Sequence, residues 1–177
     1  MKQHDILQDG HGRRFYYLRL SVTDVCNFRC DYCLPDGYQA SHNQPELSVA
    51  EAATVMRAFA QLGTRKVRLS GGEPSLRKDL PELIQAAKQT PGIQRVAVTS
   101  NGYKLPSVID SWHQNGLDQL NISIDSLNGE EFARVTGHDC LPKILNGIDR
   151  GLELGIQTKV NAVLLSDGAQ ARLQQFL

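Results

Sequence analysis

The sequence predicts an α/β fold, a partial parallel (β/α) barrel of the TIM-like kind. Three observations carry that expectation. Five strand patterns alternate with helical patterns, as the βαβ units of a parallel sheet require. Each strand pattern has one apolar and one polar face, whereas a parallel sheet covered on both sides reads as continuous apolar runs. The segments richest in chemistry, SVTDVCNFRCDYCLP and GGEP, follow directly on the first two strands, at the end where parallel α/β barrels gather their active sites. An open sheet with one face in water is the alternative reading of the polar faces.

Residues 1–12 read as a polar lead-in and residues 13–177 as the core. Gly10-His11-Gly12 has no strand before it and reads as an ordinary turn, not a phosphate loop. Phe15–Val22 is the first strand. Ser48 can cap a helix over Val49–Leu62, ended by Gly63. The second strand, Lys66–Ser70, runs into Gly71-Gly72-Glu73-Pro74. A helix over Leu80–Lys88, a Pro91-Gly92 turn and a third strand, Arg95–Thr99, follow, closed by Asn101-Gly102. The alternation continues with a helix over Ser107–Asn115 stopped by Gly116, a strand over Gln119–Ile124, a helix over Pro142–Leu154 stopped by Gly155, and a fifth strand over Gln157–Leu165. Ala169, Leu173, Phe176 and Leu177 recur at helical spacing with no glycine or proline stop, so the chain is expected to end inside a helix, short of the full protein.

The 177 residues suit about one domain of 100–200 residues. Lysine plus arginine balances aspartate plus glutamate at 19 each, so no global field favours nucleic acid or an anionic membrane. The N-terminus has no apolar signal segment, and no apolar run reaches the ~18 residues of a membrane span. The expectation is a soluble, cytoplasmic protein.

The apolar strand faces carry Leu18 and Leu20, Val67 and Leu69, Val96 and Val98, Leu120, Ile122 and Ile124, then Val160, Ala162 and Leu164. The opposite faces carry Arg19 and Ser21, Arg68 and Ser70, Thr99, Asn121, Ser123 and Asp125, then Lys159 and Asn161. In a barrel this polar face lines a lumen. Three cations there, Arg19, Arg68 and Lys159, have few acids beside them, and charges are seldom placed inside a fold without partners. An anionic substrate is the natural partner, and phosphate suits arginine forks. Trp112 reads as packing. His138 and Cys140 read as ordinary loop residues, and His4, His11, His42 and His113 show no metal spacing.

Cys26, Cys30 and Cys33 share one short loop. A disulfide would strand the third thiol and requires an oxidising compartment. A zinc site wants four ligands, commonly as two C-x2-C pairs, and no second pair exists. Thiols filling a core would not cluster among Asp24, Asn27, Arg29 and Asp31. The remaining reading is an iron-sulfur cluster whose fourth iron is open to a small molecule. The tandem glycines of Gly71-Gly72 make a tight turn or let backbone approach a ligand closely. No Lys-Ser or Lys-Thr follows, so they are not a P-loop.

C-x3-C-x2-C with Tyr32 before the last cysteine resembles the signature of the radical S-adenosylmethionine (SAM) superfamily, and GGEP after the second strand resembles its SAM-binding turn. The likeness implies a 4Fe-4S cluster whose open iron chelates SAM, and a partial barrel with about five of six βα units. RLSVTDVCNFRCDYCLP, KVRLSGGEPSLRKDL, TSNG, LNISIDSL and TKVNAVLL are together similar to the N-terminal half of the GTP cyclase family of molybdenum cofactor biosynthesis. Carried over by motif, Cys26, Cys30 and Cys33 would ligate the cluster. Tyr32, Gly72 and Ser123 would contact SAM, and Arg19, Arg68, Thr99 and Lys159 would hold GTP.

In that family a 5′-deoxyadenosyl radical takes hydrogen from C3′ of GTP, the sugar radical attacks C8, and the product passes to cyclic pyranopterin monophosphate synthase. A reductant protein and a second cluster in a missing C-terminal region are further implied, and this chain alone would bind cluster and SAM at best; a barrel short of its sixth strand keeps an unpaired edge and an apolar patch prone to pairing with another copy, which points to a homodimer. A radical SAM enzyme with another substrate, such as a peptide, and a non-catalytic zinc module are the alternatives.

Overall fold

The structure is a computed structural model, and it describes residues 6–39, 45–164 and 168–177. His4, His42 and the end of the expected fifth strand at Leu165 lie outside the described residues.

Five strands form one sheet in sequential order: β1 (Tyr17–Thr23), β2 (Lys66–Gly71), β3 (Arg95–Ser100), β4 (Gln119–Ser123) and β5 (Gln157–Asn161). Every neighbouring pair is parallel. Sequential order without a reversal is the connectivity of a barrel wall, not of a doubly wound sheet. Helices α1 (Val49–Gln61), α2 (Leu80–Gln89), α3 (Leu105–Gln114) and α5 (Leu141–Glu153) connect successive strands. The arrangement is the expected partial TIM-like fold.

Local chemistry explains where these elements begin and end. Ser48 caps α1 in a reciprocal box: its hydroxyl accepts from Glu51 N–H and the Glu51 carboxylate accepts from Ser48 N–H. Pro81, Pro106 and Pro142 each sit in the first turn of a helix, where no intrahelical donor is lost. Gly63, Gly116 and Gly155 end three helices at positive φ. Gly10-His11 is a turn closed by Asp9, whose carboxylate accepts from His11 and Arg13 N–H.

The core lies between the sheet and the helices. Val67, Leu69, Val96, Val98, Leu120 and Ile122 are fully buried, against Leu83 and Ile84 of α2, Ile109 and Trp112 of α3 and Ile144 of α5. Trp112 is packing, as expected. Gly147 lets α5 approach α3 so closely that a Cβ would lie 2.9 Å from Leu105 Cβ.

Three features differ from the sequence expectation. Helix α4 (Gly129–Thr136) fills what read as loop, capped by the Asn128 side chain accepting from Glu131 N–H and stopped by Gly137 at positive φ. Strand β5 stops at Asn161, because β4, its only partner among the described residues, ends at Ser123, opposite it. Being an edge strand, β5 also leaves Val160 exposed, so its apolar face is not covered as those of β2–β4 are. A short helix α6 (Ala169–Gln175) follows. No helix among the described residues is long and apolar enough to cross a membrane.

Candidate functional site

Strands β1 and β2 end side by side, Thr23 paired with Gly71, and the two loops they launch are joined there. Gly72 N–H donates to Thr23 O at 2.9 Å and Glu73 N–H to Val25 O at 2.7 Å. A Cβ on Gly71 would sit 2.2 Å from Thr23 O, and one on Gly72 2.3 Å from Val25 O. The space freed by both glycines is therefore taken by the backbone that leads into the cysteines. Their first task is to let the GGEP turn and the cysteine loop touch.

The loop itself is pinned from below. Cys33 and Leu34 N–H both donate to Cys30 O at 2.9 Å, forming a turn, while Arg29 and Asp31 N–H donate to Thr136 and Val135 carbonyls at the end of α4. Phe28 is buried between Cys26 and Cys30, with His138 stacked on it at 4.9 Å and Phe132 and Tyr103 edge-on. His138 Nε2–H donates to Asn27 O at 2.8 Å. The histidine that read as an ordinary loop residue thus packs beneath the cysteines. Cys140 is buried at the start of α5, its thiol pushed up chiefly by burial.

The three clustered thiols feel one another. Burial pushes Cys30 up to about 11, with the charges of Asp125, Cys26 and Cys33 adding to it. Cys26 is raised by burial first, then by Glu73 and Cys33. Such thiols hold their protons until a metal displaces them. Among the described residues no three His, Cys, Asp or Glu side chains close on a point that a single metal ion could occupy. A cubane makes a different demand, since its three protein thiolates bind three separate irons. Three partly exposed thiols on one loop, in each other's field, suit the three irons of a cubane that protein thiolates hold.

A buried carboxylate ties three turns together. Glu73 is fully buried; its Oε1 accepts from Ser75 N–H at 2.9 Å and Ser100 Oγ–H at 2.8 Å, and its Oε2 from Asn101 N–H at 2.6 Å. Asn101 Nδ2 then donates to Asn27 Oδ1 at 2.9 Å. GGEP, TSNG and the cysteine loop form one polar network, in which the buried Glu73 oxygens are satisfied by hydrogen bonds. Glu73, Asn27 and Asn101 were not singled out from sequence, although the motifs holding them were.

The polar sheet face carries the remaining candidates. Register pairs Arg19 with Arg68, Thr99 with Asn121, and Asn121 with Lys159. Arg19 Nε donates to Ser70 Oγ at 2.8 Å. The Arg68 guanidinium lies 5.4 Å above the Tyr17 ring, and the Asn121 amide, with its oxygen turned inward, accepts from both Arg68 Nη atoms at 3.2 Å. Arg68 Nε and Thr99 Oγ1 are buried with no partner among the described residues. Lys66 belongs to the same face, bonded to Gln119. Its ammonium is pushed down by burial and then by the charges of Arg68, Arg95 and Lys159. A two-residue period from Arg68 could have identified it. Among the described residues no carboxylate pairs with Arg19, Lys66, Arg68 or Lys159.

Gly72 and Ser123 stand at the C-terminal ends of β2 and β4. Tyr32 is 43% exposed and donates to Asp125 Oδ2 at 2.7 Å. The cysteines, these three residues and the cationic face are thus served by the same strands.

Residues 20–168 match the radical SAM superfamily. A GTP 3',8-cyclase of Vibrio cholerae serotype O1 is 53% identical over 173 residues, covering 96% of this chain and 52% of its own length. A GTP 3',8-cyclase of Actinobacillus pleuropneumoniae serotype 7 is 53% identical, with 97% and 51% covered. The chain spans about half the length of the curated relatives it matches. Among solved structures, Streptococcus suis SuiB bound to S-adenosylmethionine superposes with a TM-score of 0.76 at 18% identity, over 99% of this chain and 39% of that one.

Proposed function

The chain belongs to the radical SAM superfamily, and we propose that its parent protein is a GTP 3',8-cyclase of molybdenum cofactor biosynthesis. The superfamily's cofactors are a 4Fe-4S cluster and SAM, and the bound, reduced cluster supplies the electron that cleaves SAM to a 5′-deoxyadenosyl radical. In this chain Cys26, Cys30 and Cys33 would hold the cluster, and Tyr32, Gly72 and Ser123 would border SAM at the strand ends.

The reading of the substrate rests on the polar face. Arg19, Lys66, Arg68 and Lys159 crowd one surface with no carboxylate paired to them among the described residues, and Arg68 Nε and Thr99 Oγ1 are left buried without a partner among those residues. Buried donors of this kind carry a desolvation cost that a ligand removes. Arginine forks beside a lysine suit the oxygens of a triphosphate. Tyr17 and Asn121 hold the Arg68 guanidinium in place before a ligand arrives, so less side-chain freedom is lost on binding. The names of the relatives supply the nucleotide: both are GTP 3',8-cyclases. Product transfer to cyclic pyranopterin monophosphate synthase and electron supply from a reductant protein belong to the same proposal.

The test is GTP binding by this chain, wild type against Arg68→Ala, at low and high salt. Binding that weakens at least about tenfold in the variant and falls with salt is expected. Unchanged affinity in folded Arg68→Ala would remove the polar face as the substrate site.

A further inference from the structure

Asp125 lies just beyond β4, two residues after Ser123, and is only 6% exposed. Its two carboxylate oxygens are divided between distant parts of the chain. Oδ2 accepts from Tyr32 Oη at 2.7 Å, and Oδ1 accepts from Val163 N–H at 2.8 Å. No ion pair among the described residues includes it. One buried carboxylate therefore fastens the cysteine loop, the end of β4 and the segment leaving β5.

We propose that Asp125 is a positioning residue for the SAM site, with Tyr32 acting through its hydroxyl as the strap that holds the Cys30–Cys33 turn beside Ser123. The proposal rests on the cluster and SAM reading and is independent of the GTP assignment. Three observations support it. First, the Cys33 side of the loop borders an open cleft of about 450 Å³, lined by Asp24, Cys33, Pro35, Asp36, Tyr38 and Gln39. The loop is packed by Phe28 at its Cys26 end, whereas Tyr32, at its other end, is partly exposed and reaches Asp125. Second, the phenol is already committed to a carboxylate, its hydroxyl donating to Asp125 Oδ2 at 2.7 Å. What Tyr32 offers a ligand is its ring and backbone. Third, an unpaired buried carboxylate survives only where fixed donors satisfy it, and a hydrogen bond to a charged acceptor is about twice as strong as a neutral one.

The two ends of the loop are thus held differently. Phe28 and His138 hold one by ring stacking and by the His138–Asn27 hydrogen bond. The Tyr32–Asp125 bond holds the other, and it positions the residue next to Cys33 against the strand that carries Ser123.

The experiment is a double-mutant cycle on the full chain, reconstituted anaerobically, with Tyr32→Phe, Asp125→Asn and the pair. Iron content, melting temperature and SAM affinity, the last from the EPR change of the reduced cluster, are read on each. Tyr32→Phe is expected to keep its iron and its melting temperature while losing about tenfold in SAM affinity, the effect of one charge-assisted hydrogen bond. The double variant is expected to be no weaker for SAM than Asp125→Asn alone, because both changes remove one contact. Wild-type SAM affinity in Tyr32→Phe would overturn the proposal, as would additive losses in the double variant. Wild-type protein that takes up iron but gives no EPR change with SAM would fail the cofactor reading itself, a distinct outcome.

Discussion

On one face of the sheet Val67, Leu69, Val96, Val98, Leu120 and Ile122 are fully buried and meet the helices side chain to side chain. On the other face the same three strands carry Lys66, Arg68, Thr99 and Asn121, crowded with like charge and with Arg68 Nε and Thr99 Oγ1 unpartnered among the described residues. Alternation along a strand makes this division possible, since adjacent residues point to opposite sides. Stability can accumulate on one face while charged groups crowded with like charge are kept on the other. The difference shows that Arg68 and Leu69, neighbours in sequence, answer to unrelated demands.

That separation can be broken most severely from the apolar side. Leu120→Ala leaves a cavity in the fully buried core and is expected to cost about 2–5 kcal/mol, read by urea unfolding of the chain. Gly147→Ala should follow, at about 1–3 kcal/mol for forcing α5 away from Leu105, measured the same way. A wild-type urea midpoint in Gly147→Ala would mean that the two helices can part freely.

From the polar side the order reverses. Arg68→Met is expected to change the unfolding free energy by less than about 1 kcal/mol, because it removes a cation from a crowded face. It should nonetheless abolish most of the salt-dependent nucleotide binding. A variant that lost both together would show the two faces to be coupled.

The smallest effect concerns pH. Arg77, its guanidinium nearly buried, bonds Asp79 through two nitrogens and also donates to Val22 and Leu47 carbonyls, holding the Asp79 carboxyl below the usual carboxylate range. A carboxyl whose folded pKa is depressed stabilises fully above its unfolded pKa and loses that contribution as pH falls through the folded value. Asp79→Asn should therefore flatten the acid limb of the stability profile, slightly, since Asp79 is itself well exposed.

Much of this was legible in the sequence because period two and period 3.6 are local signals. The five strands, their faces, the Ser48 cap and the position of GGEP beside the cysteines all follow from neighbours along the chain. Helix α4 is hard to read from sequence although Asn128 and Glu131 have capping spacing and Phe132, Val135 and Thr136 are buried, because Asn-Gly is also a turn signal. The end of β5 was misplaced since a strand stops where its partner stops, and that is a property of β4. Glu73, His138 and Asp125 were not legible for a related reason. Their roles come from Ser100, Asn27 and Tyr32, each distant in sequence, and no spacing rule records which turns a barrel brings together.

The proposed cluster site at the Cys26–Cys33 loop is tested most directly by anaerobic reconstitution of the chain and EPR of the reduced protein, with and without SAM. A 4Fe-4S signal that shifts when SAM is added and disappears in Cys30→Ala is the expected result. Iron uptake indifferent to Cys30→Ala, or a folded protein that takes up zinc and no cluster, would contradict it.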